Sequence, residues 1–494
     1  MNAVLDVQAL LRQLAAQGVQ PRRLINDSRA VTAGDVFIAY PGHHADGRQY
    51  IPAAIARGAV AVLWESNGFT WDADWQVANV GIANLRDVAG DIAHQVYGRP
   101  SESLPLIGIT GTNGKTSCAH WISRALSAAG RRCAVIGTIG NGFPEALSDA
   151  VNTTPDALTL HALLADYRAA GAAACAMEVS SIGLQQHRCA GAHFAVAVFT
   201  NLTRDHLDYH RSMEAYAAAK RRLFMWPSLQ AAVINLDDRL GRKLATATTA
   251  VRKIGYSIDG AVANTDYVLR AERIVNHADG QQFTLQSPEG ELLISTPLLG
   301  RYNVANLLAV AGALLAMNVP FQQLASLLNT LTPPPGRLER LGGQGEPLLV
   351  VDYAHTPDAL DNALAALRQT ANARGGRLIC VFGCGGDRDR GKRPQMGEIA
   401  TRRADQVVLT SDNPRSEDPA AILAEIASAV PAAVVLADRA QAIAQTVAAA
   451  NAADVVLIAG KGHEPYQEIA GVRYPFSDVA EAERALASRR ETTA

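Results

Sequence analysis

Short apolar runs alternate along this chain with alanine- and leucine-rich stretches of helical spacing, and the alternation predicts an α/β protein. In the first hundred residues, 35–40 and 59–64 read as strands among helical stretches, and Gly98-Arg99-Pro100-Ser101 reads as a linker. The runs 104–110, 133–137, 173–178, 195–200 and 231–235 are apolar almost throughout, without the polar alternation of a half-exposed strand. Strands of that kind belong to a parallel sheet covered by helices on both faces. Pro333-Pro334-Pro335-Gly336 then stiffens and interrupts the chain, and 348–352, 378–383, 406–411 and 454–460 predict a second doubly wound unit. The expected architecture is α/β in three domains, 1–98, 99–335 and 336–494. The central one is expected to be a P-loop-containing parallel-sheet domain and the last to be Rossmann-like.

Bulk properties narrow the picture. A length of 494 residues exceeds what one core serves and fits two to four domains of about 100–200 residues. The formal net charge of −2 provides no general basic field, so no nucleic-acid partner is expected and polyanion binding must be local. Cys118, Cys133, Cys175, Cys189, Cys380 and Cys384 lack zinc-type pairing and read as reduced thiols. With no signal-like N-terminus and no apolar run near 18 residues, a cytoplasmic monomer without membrane insertion is expected.

The sharpest chemical signal lies at the end of the 104–110 run. Gly111-Thr112-Asn113-Gly114-Lys115-Thr116 is a glycine-rich turn that opens a helix. Its glycines let backbone N–H groups face phosphate oxygens, Lys115 supplies charge, and Thr116 offers a hydroxyl to Mg²⁺. The usual loop spacing requires glycine at 109, which is Ile109, and this departure points away from generic GTPases. Glu178 and His206 follow strands expected to end on the same edge. Singly each reads as a satisfied structural polar group; beside the loop they read as Mg²⁺ ligands. Spacing alone leaves Lys220 a solvated helix residue. In open parallel sheets ligands sit beyond the carboxyl ends of strands, which selects the loops 352–355, 383–389, 412–415 and 460–464. Asp412-Asn413-Pro414-Arg415 suits a zwitterion, with Asp taking an ammonium and Arg a carboxylate, and equally suits an Asx-type turn. The clusters 27–29, 42–45 and 152–154 read on their own as turn and cap material.

Taken in order, these motifs resemble the Mur ligase family over about residues 25–480. The matching elements are Asp27-Ser28-Arg29, the phosphate loop, 152–155, 177–181 with 186–188, 200–208, Lys220, 301–303, Gly336-Arg337, 352–355, 412–415 and 460–464. Within the family, the 412–415 loop resembles the form of the diaminopimelate-adding enzymes. The resemblance implies ATP-dependent, Mg²⁺-supported joining of meso-2,6-diaminopimelate to the D-glutamyl γ-carboxylate of UDP-N-acetylmuramoyl-L-alanyl-D-glutamate through an acyl phosphate, in peptidoglycan precursor synthesis. It implies that Ser28, His43, His44, Ala45, Asn152, Thr153, Thr154, Ser180, Gln186 and Arg188 hold the UDP-sugar dipeptide. ATP falls to residues 111–116 with Asn303, Arg337 and Asp352, and Mg²⁺ to Thr116, Glu178, His206 and Lys220. Lys115, Glu178, His206 and Lys220 become the catalytic set, with Lys220 carbamylated by CO₂. Arg388, Asp412, Asn413, Pro414, Arg415, Gly460 and Glu464 fall to diaminopimelate, with Arg390 a close competitor for the place of Arg388. Asn26 departs from the apolar residue often found before Asp27-Ser28. A lysine-adding Mur ligase or a folylpolyglutamate synthetase-like ligase shares the ATP chemistry, but the latter has no place for a nucleotide-sugar domain.

Overall fold

The computed structural model describes residues 6–42, 45–277 and 280–493. Three sheets carry the molecule. The first has four parallel strands, Leu24–Ile25, Val36–Ala39, Ala61–Glu65 and Ala78–Ile82, in sequential order. The large central sheet has at its middle the parallel strands Cys133–Ile136, Ala174–Glu178, Leu106–Thr110, Phe194–Phe199 and Ala231–Asn235 as neighbours in that order. The third sheet takes Leu348–Asp352, Val455–Ala459, Leu378–Phe382 and Gln406–Leu409, also parallel.

The central strands are buried on both faces, as their unbroken apolar character requires. Ile107 and Ile109 face a cluster built on the helices Lys115–Ala128 and Arg301–Ala316, while Leu106 faces the opposite cluster with Leu160 and Leu164. Helix Arg301–Ala316 is enclosed nearly all round, from Asn303 to Leu315, so it reads as a core helix without one polar face.

Two features depart from the expected pattern. The central sheet is parallel only in its middle: Gly280–Ser287 and Gly290–Thr296 extend one edge antiparallel, and Asn141–Phe143 with Ala146–Ser148 extend the other. The strand Tyr267–His277 alternates and is largely solvent-facing toward its end, so it offers no apolar run to read. A hairpin, Tyr466–Ile469 and Val472–Pro475, follows the last loop of the third sheet for the same reason unannounced. Residue 98 falls between helix Leu85–Val96 and the short helix Pro100–Ser103, and residue 335 between helix Leu324–Leu328 and strand Glu339–Gly342. All six cysteines are free and buried. Among the described residues no helix is long and apolar enough to cross a membrane.

Candidate active site

The carboxyl edge of the central sheet meets the third sheet at a cleft of about 580 Å³. Strand Leu106–Thr110 delivers the glycine-rich turn into it, and helix Lys115–Ala128 leaves from it with its N-terminal N–H groups facing the cleft side. Ile109 is a fully buried strand residue paired with Val198 and Glu178, which is why no loop glycine stands there. Gly114 has φ +87°, and a Cβ on it would come 2.5 Å from Asn306 Oδ1. The turn is tied to the next strand's loop: Asn113 N–H donates to Asn201 Oδ1 at 2.9 Å and Thr200 Oγ1 donates to the Asn113 carbonyl at 2.6 Å. Lys115 Nζ folds back on the carbonyls of Gly111 and Thr112, at 3.0 and 2.7 Å.

Glu178, at the end of its strand, is fully buried. It accepts from Thr116 Oγ1 at 2.9 Å and from the Thr138 N–H at 2.7 Å, and the charge of Lys115 acts on it. A buried carboxylate is costly unless nearby positive charge offsets it, and here Lys115 supplies part of that charge. His206, at φ +53°, lies 3.3 Å from Asp205 through Nε2; burial lowers its pKa and Asp205 opposes that. Lys220 corrects the spacing-based expectation of a solvated residue. It is 1% exposed, whereas its neighbours Arg221 and Arg222 are exposed. Helix Met213–Arg221 aims its Nζ at the Gly111 carbonyl, 2.7 Å away, over the Tyr216 ring. Burial, and then the Lys115 charge, press its pKa well below the ordinary lysine value.

The third unit closes the cleft. Arg337 donates to Thr116 Oγ1 at 3.0 Å and lies over the Tyr353 ring. Asp352 is buried and accepts from the Leu338 N–H; burial pushes its pKa up to about 6 against the pull of Arg337. Asn303 lines the same space, held by the Leu299 carbonyl. Asn113 Nδ2 reaches across to Asp358 Oδ2 at 2.9 Å, and Arg204 to Asp389 at 3.2 Å.

Two further groups flank the cleft. Thr153, Thr154, Ser180, Gln186 and Arg188 form one hydrogen-bonded set: Thr153 and Thr138 hydroxyls are 3.0 Å apart, Thr154 Oγ1 accepts the Ser180 N–H, and Arg188 grips Gln186 and the Thr154 carbonyl. Asn152 is exposed beside them. Ser28, in a turn capped by Asp27, and the exposed Ala45 belong to the first unit and do not line the cleft; His43 and His44 lie outside the described residues. Beyond Tyr353, whose hydroxyl is 3.4 Å from Glu464, sits the second group. Asn413 donates to Glu464 at 2.8 Å, and the buried Lys461 bridges Asn413 and Glu464 at 2.9 and 3.1 Å. Gly460, at φ +118°, leaves space that a Cβ would close to 2.5 Å from Asp412 Oδ2. Pro414 turns the chain, and Arg415, itself at φ +52°, donates to the Gly386 carbonyl at 2.7 Å. Arg390 is ion-paired with Glu425, while Arg388 is exposed and donates to the Asp387 carbonyl at 3.0 Å.

Sequence reasoning did not single out Asp205, Tyr216, Tyr353, Asp358 or Lys461. Asp205, Tyr353 and Lys461 stand inside motifs already selected; Tyr216 and Asp358 lie on helix turns and leave no sequence signal.

Comparison with known proteins gives three matches to one family along the chain. Residues 24–97 match the Mur ligase family catalytic domain, 109–314 the Mur ligase middle domain, and 336–462 the Mur ligase glutamate ligase domain. A UDP-N-acetylmuramoyl-L-alanyl-D-glutamate--2,6-diaminopimelate ligase of Chromobacterium violaceum is 51% identical over 483 residues, covering 97% of this chain and 96% of that one. A solved structure of a ligase of the same name is 39% identical over 95% of each chain, with a TM-score of 0.67. A Mycobacterium tuberculosis folylpolyglutamate synthase complexed with ADP and AMPPCP shares the fold at 20% identity and a TM-score of 0.62, covering 81% of this chain and 95% of that one.

Proposed function

The chain belongs to the Mur ligase family, and from that premise we propose that it joins meso-2,6-diaminopimelate to the D-glutamyl γ-carboxylate of UDP-N-acetylmuramoyl-L-alanyl-D-glutamate, converting ATP to ADP and phosphate. The observation that carries the substrate assignment is the 51% identity, over 97% of the chain, to a ligase of that name.

In this reading the UDP-sugar is held by residues 1–98 and the 152–188 group, ATP by residues 99–335, and the amino acid by 336–494. The γ-carboxylate attacks the γ-phosphorus of ATP, forming an acyl phosphate and releasing ADP. Lys115 swings from its loop carbonyls toward the transferring group, whose charge it offsets. Arg337, Asn303 and Asp352 complete the nucleotide wall. The amine of diaminopimelate then attacks the acyl carbon, loses a proton, and phosphate leaves as the amide forms.

The donor set of Thr116, Glu178 and His206 fits Mg²⁺, because Glu178 is a buried carboxylate already hydrogen-bonded to the Thr116 hydroxyl. When bound, Mg²⁺ would neutralise phosphate charge. Lys220 is assigned carbamylation. Its buried, neutral-leaning amine has a free electron pair to bond the carbon of CO₂, with a proton released, and the product is an anion at the metal side of the loop. Asp412 and Arg415 are assigned to the ammonium and carboxylate of the far end of diaminopimelate, with Asn413, Gly460 and Glu464 around them.

The test is to incubate the UDP-sugar dipeptide, ATP and Mg²⁺ with hydroxylamine in place of diaminopimelate. A hydroxamate on the γ-carboxylate is expected from a trapped acyl phosphate; ADP formation without hydroxamate would count against this route.

A further inference from the structure

We propose that His94, Glu102 and His193 form a binding site for a zinc-class divalent cation, at the junction of the first and central units and remote from the nucleotide cleft. One donor atom from each of the three lies within 4.8 Å of the others. The place is set by topology. Glu102 lies four residues before the start of strand Leu106–Thr110 and His193 immediately precedes strand Phe194–Phe199, which run parallel. Both therefore stand toward the amino ends of strands whose carboxyl ends carry the phosphate loop and the 200–208 loop, roughly 15 Å away along the sheet.

The three donors are held by independent backbone contacts. His94 rides on helix Leu85–Val96, and a Cβ on Gly90 of that helix would overlap the Ala190 carbonyl, so helix and turn lie in close contact. His161 bonds the same carbonyl through Nε2 at 2.9 Å. The His193 N–H donates to Ser101 Oγ at 3.0 Å, fixing that turn to the short helix that carries Glu102. The rings of His94 and His193 stack with centroids 4.9 Å apart, and His94 Nε2 lies 3.5 Å from Glu102 Oε1. His94 is 5% exposed, its Nδ1 is buried without a hydrogen-bond partner, and the His161 ring packs against it with centroids 5.1 Å apart.

Access is open on the other side. His193 is exposed, Glu102 is half-exposed, and both line a separate cleft of about 310 Å³. Two imidazoles and one carboxylate favour zinc over magnesium, which prefers oxygen donors, and water can complete the shell. A cation there would fasten helix Leu85–Val96 to the central sheet.

The test uses the full chain after chelator treatment, titrated calorimetrically with Zn²⁺ in millimolar Mg²⁺. The expected result is one micromolar or tighter site that persists in His206→Ala. His193→Ala and Glu102→Gln should each weaken it by at least about 10-fold, the loss seen even when an outer partner of a metal site is removed. ATP binding should be unchanged in both variants. Both positions are solvent-facing, and a thermal melt checks that each variant folds. Wild-type affinity in both variants, or no zinc uptake by the wild type, overturns the proposal.

Discussion

Lys220 illustrates how burial decides what a side chain does. In sequence it stands beside Arg221 and Arg222, yet it is the one turned inward, onto the Gly111 carbonyl. Lys220→Arg keeps the charge but cannot add CO₂, because guanidinium stays protonated. We predict a fall in ligation rate on the order of 100-fold, the scale of losing one transition-state charge partner, with ATP affinity little changed. Ligation by the wild type should also drop in CO₂-depleted buffer; a rate indifferent to both changes would remove Lys220 from the reaction. Arg415→Ala should lower use of diaminopimelate by on the order of 100-fold and leave ATP affinity intact, since the second carboxylate loses its partner. Normal diaminopimelate turnover in that variant contradicts the assignment. Residue identity was legible wherever a motif demanded it, as at Lys115 and Thr116. Side-chain direction was not: the chain does not say which of three consecutive basic residues is buried, nor that Tyr216 and Asp358 reach the same cleft.

At the scale of elements, the phosphate loop depends on where its strand stops. Ile109 still belongs to the strand, so the turn is compressed between Gly111 and Gly114, and Gly114 takes a left-handed conformation against Asn306. Gly114→Ala adds about 1–2 kcal/mol of backbone strain and a contact that Asn306 must relieve. We expect nucleotide affinity to fall with little change in far-ultraviolet circular dichroism; unchanged ATP binding by calorimetry would mean the turn is not read by its backbone. Doubly buried strands were legible because both faces must be apolar. The antiparallel edges were not, because strand Tyr267–His277 exposes much of its length and its residues follow no unbroken apolar run. The Rossmann-like third sheet was legible by the same logic as the central one.

For the whole molecule, three sheets contribute side chains that are far apart in sequence, and buried titratable groups set its response to acid. His120, His161, His355 and His463 are each pushed down to about 4 by burial, whereas Asp352 is pushed up to about 6. Below pH 6.5 the unfolded chain takes up histidine protons that the folded chain refuses, so this stability is lost as pH falls toward 4. Asp352 acts oppositely, gaining a proton more readily when folded, between about pH 6 and 4. With His94, His206 and His210 also lowered against the raised Asp91, Asp352 and Asp358, the histidines outnumber the carboxylates, and the urea midpoint should fall between pH 7 and pH 5; a flat or rising midpoint would contradict these buried neutral histidines. The ordered series of motifs made the three-domain α/β plan legible, while the meeting of Asn113 with Asp358 and of Tyr353 with Glu464 depends on how the units close together. The central claim is a single ligation with a chosen amine. Phosphate release should be measured with UDP-N-acetylmuramoyl-L-alanyl-D-glutamate, ATP and Mg²⁺, adding meso-diaminopimelate or L-lysine. Rapid release is expected with diaminopimelate and little with lysine; equal release with both, or release independent of either amine, would rule out this ligation.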